Sequence, residues 1–332
     1  MMAPFSPRPL PHIVVLGTGG TIAGAATGDP SLPGYTAGVL GVEVMLKEVP
    51  ALGSLAQFQT EQVANLDSKD MTFAVWTRLA ERVLHWLAQP SIQACVITHG
   101  TDTLEETAYF LSLVLPQDKP VVLTAAMRPA TALNADGPQN LLDAIRVATH
   151  PDAHGLGVVC VLHGVVHAAR DVAKINTHVV EAFSSGERGP LGEIEGQNLR
   201  LWRKAPQERG VPFSLPAAEA WPRVELLSNV AGADGAVVRC LLSNSAVHPR
   251  LRGLVVAGTG GGTVNRELEA ALEAAAAQGV RVKVASRVGP LRGGDDDGLS
   301  AVKLRVRLLL ELAATEAPRR PPMETPAEGV PR

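Results

Sequence analysis

The stretch C-V-I-T-H-G-T-D-T-L-E-E-T-A-Y-F-L, Cys95–Leu111, decides the fold. Cys95, Val96 and Ile97 read as a buried strand, Gly100 lets the backbone turn without a Cβ clash, and a helix follows. Asp102 and Thr103 are both favoured N-caps, each with a glutamate three positions on, Glu105 and Glu106, in capping-box spacing. Thr101 and Asp102 therefore stand at the carboxyl end of a strand and the amino end of a helix. Open α/β sheets bind their ligands there.

The same punctuation occurs earlier. His12–Gly17 is an apolar run that leads into T-G-G-T-I-A-G, residues 18–24. Gly19 and Gly20 permit positive φ and leave Thr21 just past the strand end. A dinucleotide loop is excluded by spacing, since counting G-x-G-x-x-G from Gly17 puts Ile22 at the last position, and no Gly-Lys-Ser/Thr is present. Residues 25–38 carry too many glycines and prolines for a regular element and are expected to form a lid loop, with Tyr35 near its end.

The intervening chain alternates. Helices are expected over 42–49, 71–87 (capped by Asp70), 138–149 (behind Asp136), 264–277 and 301–314. Strands are expected at 58–66, 120–124, 157–162, 164–168, 223–228, 236–240, 253–257 and 280–285. This pattern predicts an α/β fold of two domains, the larger N-terminal one a mostly parallel sheet with helices on both faces, the smaller one C-terminal α/β. The boundaries are residues 1–190, a Gly- and Pro-rich linker at 191–222, a second domain at 223–314 and a disordered tail at 315–332.

Composition removes several function classes. The 332 residues are 46% hydrophobic and 19% charged, an ordinary globular balance, and a net charge of -3 leaves no basic footprint for nucleic acid. No apolar run reaches the roughly 18 residues of a membrane span. The Pro-rich start has no apolar signal core before the first strand, so the cytoplasm is the expected compartment. Cys95, Cys160 and Cys240 lie in apolar runs and are expected to be buried thiols. Neither Cys-x-x-Cys nor His-Glu-x-x-His spacing occurs, which leaves no metal motif. His99 is the histidine at a strand end, where a hydrogen bond to nearby backbone is expected.

Four strand-end loops thus offer Thr21, Ser68, Thr101 with Asp102, and Lys174. Together they suit an amide or ester hydrolase with a threonine nucleophile, because a hydroxyl needs a base and lysine or tyrosine can serve. A neighbouring carboxylate suits a substrate that carries an ammonium group.

T-G-G-T-I-A-G and H-G-T-D-T-L-E-E-T-A are also the two motifs of the bacterial-type L-asparaginases, and the chain resembles that family nearly end to end. Y-T-A-G (35–38), D-S-K-D-M (67–71), A-M-R-P…A-D-G-P…N-L (126–141), A-R-D-V-A-K-I-N (169–176) and G-T-G-G-G-T (258–263) extend the match. The resemblance implies hydrolysis of L-asparagine to L-aspartate and ammonia without a cofactor, in a homo-oligomer, dimer or tetramer. It implies Thr21 as primary nucleophile with Tyr35 beside it, and Thr101, Asp102 and Lys174 as a second triad. Ser68 would hold the substrate α-carboxylate and Asp102 its α-ammonium, with Lys69 and Ala126 also lining the substrate.

The chain departs from the family pattern at three places. Lys69 stands where periplasmic members have Gln or Glu. Gly261 replaces a supporting Asn. The 288–298 loop is short, with Asp295, Asp296 and Asp297 in place of a Glu. A broad-specificity glutaminase-asparaginase, or an amino-acid-binding sensor on the same scaffold, are the alternative readings.

Overall fold

The computed structural model describes residues 9–26, 35–206, 213–243, 249–289, 291 and 298–316. Most of the expected lid, the Asp295–Asp297 run and the tail from residue 317 lie outside these residues. Among the described residues the main sheet has eight strands, in the order Asn198–Leu201, Gly192–Glu195, Val165–Ala168, Val158–Leu162, Val121–Thr124, Ile92–Thr98, His12–Gly19, Gln57–Leu66. From Gln57–Leu66 to Val158–Leu162 every pairing is parallel, and the remaining strands join antiparallel. The chain leaves His12–Gly19 for one neighbour and then crosses to the other, Ile92–Thr98. The carboxyl ends of these two strands therefore flank the topological switch point.

Alternation along the central strands fills both faces. Val14, Leu16, Cys95 and Ile97 join one core under the helices Phe73–Leu87, Leu104–Val114 and Ala301–Glu316. Ile13, Val15, Ala94 and Val96 join the other, under Val42–Lys47 and Gly137–Thr149. Period-2 alternation with apolar residues in both registers is what a doubly covered parallel sheet needs. A second parallel sheet, Arg223–Ser228, Leu251–Gly258 and Arg281–Ser286, packs Leu254 and Val256 against the helices Ala236–Ser243 and Arg266–Ala277. Its other face, through Val224, Val255 and Ala285, meets Ala301–Glu316. That helix is buried on two sides because it belongs to the cores of both sheets.

Several local expectations change. Thr72, not Asp70, caps the Phe73–Leu87 helix, its hydroxyl accepting from the Val75 N–H at 3.2 Å, while Asp70 pairs with Lys69. Residues 236–240 are not a strand but part of the helix Ala236–Ser243, whose Val238 alone is fully inserted. V-V-R-C-L-L fits either period, and the neighbouring Arg266–Ala277 helix decides the outcome. Cys240 is consequently exposed, whereas Cys95 and Cys160 are buried. The stretch whose composition reads as a linker contains the hairpin Gly192–Glu195/Asn198–Leu201, which extends the main sheet. Its last part carries Trp221, stacked on Phe73 with centroids 4.6 Å apart and donating to Thr77 Oγ1 at 3.1 Å. Within the expected lid, Ala25–Ala26 and Tyr35–Thr36 pair as short antiparallel strands. Among the described residues no helix is long and apolar enough to cross a membrane.

Burial lowers the pKa of two histidines, His99 and His167, from 6.5 to about 4 each. Both are neutral in the fold and must be charged in acid. Their contribution is full above pH 6.5 and is lost as pH falls toward about 4, roughly 3 kcal/mol apiece. Urea denaturation from pH 7 to 4 should show this loss, and His167→Gln should reduce the slope by about half of the histidine share. An unchanged slope would refute the assignment.

Candidate active site

The site begins with two glycines in contact. Gly20 has φ 79°, and a Cβ on it would lie 2.4 Å from the Gly100 Cα. A Cβ on Gly100 would in turn lie 2.5 Å from Ser68 Oγ. Only bare backbone lets the two strand ends converge so closely. The convergence is cross-tied. Thr18 Oγ1 donates to the Thr98 carbonyl at 3.0 Å, and the Gly20 N–H donates to the Leu66 carbonyl at 2.8 Å. Thr21 and Thr101, the residues after each glycine, are thereby held at adjacent strand ends, both nearly buried.

Ser68 opens the short 3-10 turn Ser68–Asp70 after the strand Gln57–Leu66 and is 2% exposed. Its Oγ accepts from the Asp102 N–H at 3.1 Å, and its carbonyl accepts from Thr103 Oγ1 at 2.8 Å. The expected capping box is therefore absent. Thr103 occupies the N-cap position without a side-chain cap, because its hydroxyl is bound to Ser68. The Asp102 carboxylate instead meets Lys174, whose Nζ lies 2.6 Å from Asp102 Oδ1 and 2.8 Å from Thr101 Oγ1. Lys174 ends the short strand Ala173–Lys174, paired with Phe183–Ser184, and its N–H donates to Glu105 Oε1 at 3.4 Å. Thr101, Asp102, Lys174 and Ser68 form one connected cluster.

The other expected residues surround this cluster. Tyr35 is fixed through its backbone opposite Ala26, and the returning chain is tied to the Thr21 turn by Gly38 N–H to the Gly20 carbonyl and Val39 N–H to the Ala23 carbonyl. Ala126 is buried in the same core cluster as Ile22, so only its main chain can face a ligand. Lys69 is turned onto Asp70 and Asp67, at 2.5 and 3.6 Å, and the Asp70 contact raises its pKa. Gly261 lies in open space. Among the described residues no group of three or more His, Cys, Asp or Glu is arranged to hold a metal ion.

Three supporting residues take roles that their local sequence does not announce. Asp136 was expected to cap Gly137–Thr149, but its carboxylate accepts from the Met127 and Arg128 N–H groups at 3.0 and 2.9 Å and so fixes the A-M-R-P loop. Asn140 Nδ2 donates to the Ala125 carbonyl at 2.9 Å, and Asn140 Oδ1 accepts from the His163 N–H at 2.9 Å. Glu105 is half-buried with its carboxyl pKa raised by desolvation, as befits a group turned away from solvent toward Lys174. His99 is fully buried with Nδ1 2.7 Å from the Gly100 carbonyl, as a strand-end histidine bonded to backbone should be.

Two hydroxyls on adjacent strand ends, with a carboxylate and an amine beside one of them, are the groups an α/β amidohydrolase needs at the switch point of a doubly covered sheet. Residues 12–207 match the family described as "Asparaginase, N-terminal". The chain is 37% identical to "L-asparaginase 2" of Bacillus subtilis (strain 168), across 94% of this chain and 85% of that one. It is 36% identical to the "Glutaminase-asparaginase" of Pseudomonas fluorescens biotype A, across 84% and 76%. A solved structure described as a probable cytoplasmic L-asparaginase from Campylobacter jejuni superimposes with a TM-score of 0.84 at 36% identity, covering 92% of this chain and 96% of that one. The chain belongs to the asparaginase family.

Gly20→Ala combines a positive-φ penalty with a backbone collision that no side-chain movement relieves. It should cost about 2 kcal/mol or more in urea denaturation. Gly100→Ala meets the side chain of Ser68 instead, so its loss should appear first in substrate binding.

Proposed function

We propose that this protein hydrolyses the side-chain amide of L-asparagine to L-aspartate and ammonia, with Thr21 as nucleophile. The observation that carries the reading is Lys174, set between Thr101 and Asp102 and donating to both. Lys174 Nζ donates to Thr101 Oγ1 and so makes that oxygen an acceptor. The Thr101 proton is then directed to the substrate, where it polarises the amide. Thr21 Oγ attacks the amide carbon, its proton passes to the leaving nitrogen, and ammonia departs from an aspartyl ester. Water then attacks the ester carbon and returns the proton to Thr21. Tyr35 and Lys174 move these protons.

Ser68 takes the α-carboxylate and Asp102 the α-ammonium of the substrate, with Ala126 contributing its main chain. Asp102 is half-exposed, so it can serve Lys174 and the substrate together. Lys69 is held by Asp70 and Asp67, which keeps its charge off the substrate ammonium and leaves the substrate's fit to Ser68 and Asp102. In this assignment residues 1–190 carry most of the site, in the cytoplasm, without a cofactor. The assignment includes a homo-oligomer, dimer or tetramer, whose interface would have exposed apolar side chains such as Ile175, Val179 and Val288 to cover. Light scattering at micromolar concentration should give a mass above that of one chain.

The deciding experiment is ammonia release from L-asparagine and L-glutamine by wild type and Thr21→Ala. Wild type should turn over asparagine faster than glutamine, and Thr21→Ala should lose on the order of a thousandfold or more while still binding asparagine. Comparable rates on both amides would favour a broad glutaminase-asparaginase. Binding without turnover in wild type would make the protein a sensor.

A further inference from the structure

Lys303 is the one lysine in the described core. It sits in the first turn of Ala301–Glu316, 1% exposed, and its Nζ donates to the carbonyl of Arg170 at 2.9 Å and to that of Val172. These carbonyls belong to the segment that delivers Lys174. Glu105 accepts the Lys174 N–H at 3.4 Å, and Lys303 lies within its Coulombic reach. A main chain of five residues is thus gripped by an ammonium from Ala301–Glu316 and by a carboxylate from Leu104–Val114.

Val172 anchors this segment in the core, but the two residues that flank Lys174 have no such packing. Ala173 and Ile175, which flank Lys174, line a cavity of about 230 Å³ whose wall also includes Ser185, Arg188, Ser286 and Lys303. A strand with open space behind it needs polar ties to stay in register. Burying an ammonium is costly, and an apolar side chain of similar volume would fill the site at lower cost. Glu105, Cys160, Asp171 and Arg170 face Lys303 from the elements around it. Burial is the largest influence and brings its pKa down to about 8, with Glu105 the leading opposing group. Asp171 is itself engaged by Arg203 at 2.8 Å and Arg188 at 3.6 Å, which leaves Glu105 as the carboxylate that Lys303 answers.

We propose that Lys303 is a positioning residue for the active site: by tying the Arg170 and Val172 carbonyls, with Glu105 holding the Lys174 N–H, it fixes the main chain from which Lys174 reaches Thr101. The proposal rests on the reading of Lys174 given above. A displaced segment would move Lys174 Nζ off Thr101, and misplacement by about 1 Å can cost up to about a hundredfold in rate.

The test is a double-mutant cycle on asparagine hydrolysis with wild type, Lys174→Met, Lys303→Met and the double variant. Slow variants are timed by single turnovers at stoichiometric enzyme, with thermal unfolding recorded for each. Lys303→Met should lower kcat about tenfold to a hundredfold with KM within about twofold, and should cost nothing further when Lys174 is already methionine. Wild-type kcat in Lys303→Met would overturn the proposal. So would an equal loss in both backgrounds, because that is the behaviour of a merely structural residue. Wild-type kcat in Lys174→Met would instead sink the site reading itself. If Lys303→Met does not fold, Glu105→Ala completes the same cycle through the Lys174 N–H, with the same expected non-additivity.

Discussion

The contact between Gly20 and Gly100 is the constraint on which the rest of the site depends. Two strand ends meet through bare backbone at the switch point of the sheet, at a distance that no Cβ tolerates. Once they meet, Thr21 and Thr101 must emerge side by side, and Ser68 fits against Gly100 from the third strand end. The ties from Thr18 to Thr98 and from Gly20 to Leu66 show that this convergence is held by main-chain partners as well as by packing. A catalytic geometry built on strand ends inherits the rigidity of the sheet below it.

The residues around the contact have been diverted from local roles. Asp102, Thr103 and Asp136 each stand where a helix would use them as a cap, and none of the three caps its helix through the side chain. Asp102 meets Lys174, Thr103 holds Ser68, and Asp136 pins the 127–128 backbone. Each helix start gives up a contribution of about 1 kcal/mol so that the loop before it can be fixed. Departures from local preference of this kind concentrate at functional sites. Thr72, which has no such duty, does cap its helix, in place of the expected Asp70.

Much of this was legible in the sequence, and the boundary between what was and what was not is physical. The buried strands announce themselves because both alternating sets, such as Val14 with Leu16 and Ile13 with Val15, are apolar. The site was legible because glycine at Gly20 and Gly100, next to small hydroxyls, has few other uses. Ala236–Ser243 was not, since a short apolar run satisfies either period until its neighbour is known. The 192–201 hairpin was missed because Gly and Pro content marks edges of sheets as readily as linkers. The roles of Glu105 and Lys303 were beyond reach for a different reason. Their partners lie far away in the chain, 69 residues for Glu105 and 131 or more for Lys303, and nothing local records the meeting.

The helix Ala301–Glu316 has a consequence for how the chain is made. Its side chains complete the core of the sheet formed by the first half of the protein. Domains generally fold as units while synthesis proceeds from the N-terminus. Here the first sheet emerges early but keeps an uncovered apolar strip until Ala301–Glu316 leaves the ribosome. Until then the hydrophobic face that Leu304, Val306 and Leu308 cover is open to water, although every residue assigned to the site has already been made.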